Sequence, residues 1–175
     1  MTDHLKELWK DQYEAELARK EHITNGAYFI VNVIGLESAA IFFLLKGSLD
    51  DVTSFIGLFY IFMVLSACTL IASCGLLFYG FYNSQTAYLD TPDTLERHLN
   101  ELRAYDEKSS EARFNEFIVG RYRDSASLNG RQNDKRSSVF FYSRAFLIIS
   151  VSLFLIAAII YMGNLIRWCV FDVYS

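Results

Sequence analysis

Proline is nearly absent: Pro92 is the only one in 175 residues. None of the long apolar runs contains it, so nothing in them breaks a helix as proline would. No broken helix or inverted repeat of the kind that marks an ion-coupled carrier is visible. Cysteine is scarce and odd in number, at Cys68, Cys74 and Cys169. An odd count gives no complete disulfide framework, and two of the three thiols lie in one apolar run, where they read as buried and inert. The histidines are only His4, His22 and His98. They read as solvated surface groups, and Arg97 and His98 are adjacent rather than spaced as a nuclease pair requires. There is no zinc-ligand spacing, Walker loop, dinucleotide fingerprint or serine elbow. The expectation is therefore not an enzyme, with no cofactor and no metal.

Basic charge is not in excess either. Sixteen Lys and Arg face 20 Asp and Glu, for a net charge of -4 and a pI of about 5.4. That excludes a protein whose whole surface grips nucleic acid, and no direct nucleic-acid binding is expected. Residues 1–22 are charged and slightly acidic. They lack the basic region, apolar core and cleavage site of a secretory signal.

What the chain has is hydrocarbon. It is 53% hydrophobic with a mean hydropathy of +0.20, and the apolar residues are clumped. A first span covers 27–45, "AYFIVNVIGLESAAIFFLL", interrupted by Asn32, Glu37 and Ser38. Its 19 residues match the roughly 20 needed to cross a bilayer. A second covers 55–82; its 28 residues would make a helix of roughly 42 Å, so it tilts or projects into water. A third is apolar over 145–162. A soluble bundle would need a polar face on each helix, and the second span has almost none. The fold class is all-α: a helical transmembrane protein with three spans and cytoplasmic helical extensions.

Lys and Arg alternate rich, poor, rich, poor along the intervening segments. Nine lie between Arg97 and Arg136, but only Lys46 flanks the first turn, beside Asp50 and Asp51, and only Arg167 lies in the tail. The positive-inside rule then puts the N-terminus and the middle segment in the cytoplasm, with the C-terminus outside. Aromatic residues collect at the predicted boundaries, where a ring with a polar tip is favoured. Tyr28, Tyr82 and Trp168 read as interface anchors, as does Arg144, which snorkels toward headgroups. The expected organisation is a cytoplasmic amphipathic helix (1–26), a transmembrane hairpin (27–82), a cytoplasmic helical segment (83–140), and a third transmembrane helix with a short external tail (141–175).

In the first segment Leu5, Leu8, Trp9, Tyr13 and Leu17 recur at helical spacing and need cover from protein or membrane. In the middle segment Thr91 caps a helix, Pro92 suits its first turn and Asp93 suits its dipole. Leu95, Leu99 and Leu102 form its stripe. A second helix is expected from Ser110 to about Arg123, with Gly120 weakening it. "SLNGRQNDKRSS" follows, as a turn at Asn129-Gly130 or a helix resuming toward the membrane, its charges forming a solvated face. So short a segment hardly buries a core alone, which argues for a homo-oligomer.

The polar groups inside the spans are the candidate site. A charged side chain at mid-span costs roughly 2.5–3.5 kcal/mol on insertion scales, so Glu37 must face protein or water, or carry a proton. Gly35 and Ala39 form a small-xxx-small pair suited to close helix contact. Ser66, Ser73 and Gly80 recur at steps of seven, with Thr69 on nearly the same side, as a stripe for close packing or a narrow wet path. Glu37 either bonds to that stripe and joins two helices, or forms a cation-favouring ring with its copies in other subunits. Asn32 belongs to the same set without sharing its position around the helix. A proton relay needs more than one titratable group, and no second acid or histidine lies in any span.

The order of a charged helix ("LWKDQYEAELARKEH"), two close spans and a charged helical segment resembles the SLATT class of small bacterial membrane proteins, over roughly residues 5–110. The resemblance rests on layout. It implies a pore-forming or membrane-disrupting effector of the bacterial inner membrane in antiphage defence. It also implies gating by an upstream signalling protein or nucleotide signal. The competing expectations are a non-enzymatic membrane anchor or sensor subunit of a partner complex, and a small ion-coupled transporter.

Overall fold

The structure, a computed structural model, describes residues 2–48, 56–82 and 85–174, with backbone alone at 2, 3, 48, 56, 164, 165 and 167–174. The turn at Asp50 and Asp51 and the side chain of Trp168 lie outside the described residues. Four helices follow in order: α1 (Thr2–Ser48), α2 (Ile56–Tyr82), α3 (Pro92–Tyr105) and α4 (Ser110–Tyr174). There is no strand among the described residues. Three of the helices, α1, α2 and α4, are long and apolar enough to cross a membrane. In their most apolar stretches only 17%, 28% and 17% of residues are buried inside the protein. The rest, including Phe42, Phe43, Ile71, Phe78, Ile148 and Ile159, is exposed hydrocarbon. A soluble protein rarely presents so large an apolar face, and lipid is the solvent that suits it. The chain is a multi-pass helical membrane protein.

The helices group into two compact units. A polar unit comprises Met1–Thr24 and Asn83–Ser137, and a membrane unit comprises Asn25–Tyr82 and Ser138–Ser175. The expected stop near Arg123 is a misreading: α4 continues through Gly120, Asn129 and Gly130 without a break. A helical glycine costs only about 1 kcal/mol, and Asn-Gly makes a tight turn mainly where strands flank it.

The burial pattern explains the continuity. Buried positions on α4 step by three and four, through Ala126, Asn129, Asn133, Arg136, Phe140, Ser143, Leu147, Ser150 and, one heptad on, Ala157. On α2 the same rhythm runs through Phe59, Met63, Ser66, Leu70, Ser73, Leu77 and Gly80. A sustained repeat of seven keeps one seam of a helix against its neighbours. Arg136, one of the charges expected on a solvated face, is therefore on the buried one, with Asn129 and Asn133.

In the polar unit, those asparagines tie segments together. Asn129 Oδ1 accepts from the Ala87 N–H at 2.9 Å, and its Nδ2 donates to the Ala87 carbonyl at 3.0 Å. Asn133 Nδ2 donates to Glu16 O and Oε2 at 2.8 and 2.9 Å. Tyr13, the one buried member of the N-terminal stripe, meets Tyr122 edge-on with ring centres 5.8 Å apart. Leu5 and Leu8 are exposed, while Leu95, Leu99 and Leu102 are half-buried. Thr91 does hold the cap position of α3, with Pro92 next. Its hydroxyl pairs with that of Thr94 at 2.9 Å, however, and makes no cap bond to the backbone. Between α3 and α4, Asp106 accepts from the Lys108 N–H at 3.2 Å and the Ser109 hydroxyl at 2.5 Å.

Candidate functional site

In the membrane unit, α2 and α4 run antiparallel in a register set by serines. Ser73 Oγ donates to the Ser143 carbonyl at 2.8 Å, and Ser143 Oγ donates to the Ser73 carbonyl at 2.9 Å. One heptad along, Ser150 Oγ lies 2.8 Å from the Ser66 carbonyl and 3.2 Å from Ser66 Oγ. All four serines are fully buried. Small side chains let the backbones approach closely enough for a hydroxyl to reach across.

Glu37 of α1 enters the second of these layers. It is 6% exposed. Its Oε1 lies 2.6 Å from Ser150 Oγ and 3.2 Å from Ser66 Oγ. Its Oε2 is buried and has no hydrogen-bond partner among the described residues. The three spans thus converge on one carboxyl and two hydroxyls.

The flanking layers are apolar and tight. Gly80 faces Phe140: a Cβ there would come within 2.5 Å of the ring, which also lies 5.4 Å from the Phe81 ring. Toward the other end, Phe59 packs on Tyr161 with ring centres 5.6 Å apart. Gly26 leaves room for the Arg144 guanidinium, which a Cβ would meet at 2.5 Å.

The structure thus brings Glu37, Ser66, Ser73 and Gly80 onto buried faces and leaves other members of the expected set elsewhere. Thr69 turns its hydroxyl back onto its own helix, at 3.0 Å from Leu65 O and 2.9 Å from Ser66 O. Asn32, Gly35 and Ala39 are exposed, and nothing lies within 4 Å of a Cβ built on Gly35. The close contact expected at Gly35 and Ala39 is not made among the described residues. Tyr28, Tyr82 and Arg144 are exposed. Ser143 and Ser150 were missed from the sequence. Their signal was present, since they continue the seven-residue step of α4 inside an otherwise apolar run.

Comparison with known protein families, curated proteins and solved structures gives no match.

Proposed function

We propose that the protein is a non-enzymatic, homo-oligomeric effector of the bacterial inner membrane that opens a path through the bilayer or perturbs it. The polar unit faces the cytoplasm and receives the signal. The observation that carries this reading is the exposed amide of Asn32. It lies within the first span, beside Gly35 and Ala39, and makes no hydrogen bond among the described residues. A bare amide in hydrocarbon is unfavourable, and an amide-to-amide bond across two helices is worth about 0.6–2 kcal/mol there. A second copy of the chain, with its own Asn32 and small residues, supplies that bond and the close approach.

Any conducting path then lies between protomers. Glu37 Oε1 is hydrogen-bonded to Ser66 and Ser150 of its own chain, which supports a packing role for this acid over a ring of acids. The polar unit carries a pocket of about 140 Å³ lined by Asp90, His98 and Phe117, and a more open one of about 490 Å³ lined by Asp93, Arg97 and Glu101, the second within the roughly 300–1,000 Å³ usual for small-molecule sites. The trigger is an upstream signalling protein or a nucleotide signal. The layout shared with SLATT proteins supports a role in antiphage defence.

The test is reconstitution in liposomes with wild type, Asn32→Leu and Gly35→Leu. Flux and an oligomer for wild type, with both lost in the variants, is the expected result. An oligomer that never conducts in the presence of its cytoplasmic partner gives the anchor or sensor reading instead. A monomer that conducts overturns the interface.

A further inference from the structure

The Glu37 layer has more short oxygen contacts than its hydroxyls have hydrogens. Ser150 Oγ lies 2.6 Å from Glu37 Oε1 and 2.8 Å from the Ser66 carbonyl oxygen. A serine hydroxyl has one hydrogen to give. Given to Glu37, it leaves Ser150 Oγ and the carbonyl oxygen lone pair to lone pair at 2.8 Å. Given to the carbonyl, it leaves Oγ and Oε1 in the same state at 2.6 Å. The Ser66 hydroxyl bridges neither gap, since its oxygen stands 3.2 Å from both Oε1 and Ser150 Oγ.

The adjacent serine layer is the internal control. Ser73 and Ser143 have two hydrogens, and two carbonyl oxygens receive them at 2.8 and 2.9 Å. Their mutual Oγ separation of 3.1 Å needs no third hydrogen. That layer closes by itself; the Glu37 layer is one hydrogen short.

Oε2 gives an independent reason to supply it. As a carboxylate, Glu37 would keep half its charge on an oxygen that is buried and meets no donor among the described residues. No charged side chain among those residues pairs with it. An uncompensated buried charge costs several kcal/mol, whereas a bare carbonyl oxygen costs far less.

We propose that Glu37, Ser66 and Ser150 form a binding site for one proton, with Glu37 held as the neutral carboxylic acid. The acid O–H on Oε1 donates to Ser150 Oγ, Ser150 donates to the Ser66 carbonyl, and the Ser66 hydroxyl donates back to Oε1. Each of the three hydrogens then has one acceptor, and Oε2 becomes an uncharged carbonyl oxygen. The site stores a proton where the three spans meet; it does not by itself relay one.

The experiment is solid-state NMR of the full chain in lipid bilayers at pH 7, with carboxyl-labelled glutamate and labelled serine. One glutamate carbon at the neutral-acid shift, correlated through space with a serine Cβ and lost in Glu37→Gln, is the expected result. Glutamate carbons all at the carboxylate shift in the wild type would overturn the proposal, whether or not the variant folds. So would a neutral-acid signal that persists in Glu37→Gln or that meets no serine.

Discussion

Ser73 and Ser143 each donate a hydroxyl hydrogen to the other's backbone carbonyl, at 2.8 and 2.9 Å, from helices that run in opposite directions. Because the exchange is reciprocal, the two side chains act as one unit. Single replacement by alanine should cost about 0.5–1.5 kcal/mol, and the double variant should cost less than the sum of the two. Unfolding free energies in bicelles for Ser73→Ala, Ser143→Ala and the pair measure the coupling directly. Strict additivity would show that the hydroxyls act separately.

Gly80 is where α2 accepts the Phe140 ring, and a side chain there meets the ring at 2.5 Å. Phe140 is itself buried and has little room to yield. Gly80→Val should destabilise the membrane unit by about 1–3 kcal/mol through overpacking. Adding Phe140→Ala should restore part of that loss. A second change that deepens it instead would mean the valine clashes elsewhere.

Asn129 holds both backbone groups of Ala87. Asn129→Ala leaves that N–H and carbonyl without their partner in a partly buried place, at a cost of about 1–3 kcal/mol. Amide exchange of the segment from Gln85 to Asp90 should accelerate. Asn129→Asp keeps the acceptor and loses the donor, so its exchange should fall between the other two. An unchanged rate for Ala87 in Asn129→Ala would mean that another group holds the segment.

At the α3–α4 junction, the Ser109 hydroxyl and then the Lys108 and Ser109 amides hold the Asp106 carboxyl below its usual value of 3.8. The sign follows from linkage. A carboxyl whose folded value is depressed adds stability that is present above pH 3.8 and is lost as pH falls through the lower, folded value. Protection of the Lys108 and Ser109 amides should therefore be level at neutral pH and decline in acid. Asp106→Asn should flatten that decline. An identical acid profile in the variant would assign the titration to another group.

The membrane architecture was legible because hydropathy and length are local properties. Glu37 drew notice because an acid in hydrocarbon demands an explanation, and the Ser66–Ser73–Gly80 stripe because its period is the helix's own. Which helix would receive the stripe was not legible. Ser143 and Ser150 have no meaning as partners until α2 and α4 are set antiparallel in one register. Nor was the direction of Asn32, Gly35 and Ala39 legible: a small-residue pair allows close contact without naming the neighbour. At Asn129-Gly130 a local turn signal conflicted with a nonlocal repeat. The repeat prevailed because an unbroken helix places Asn129 and Asn133 on the buried seam, where they bond to Ala87 and Glu16.

The serine register limits the movements open to the membrane unit. Moving α2 lengthwise past α4 by less than a whole heptad would set the buried hydroxyls against Leu70, Leu77 or Leu147 and strip them of acceptors in an oily interior. A piston stroke is therefore unfavourable along its whole path. Scissoring is cheaper, because one end of the helix pair can part while the reciprocal bonds at the other act as the pivot.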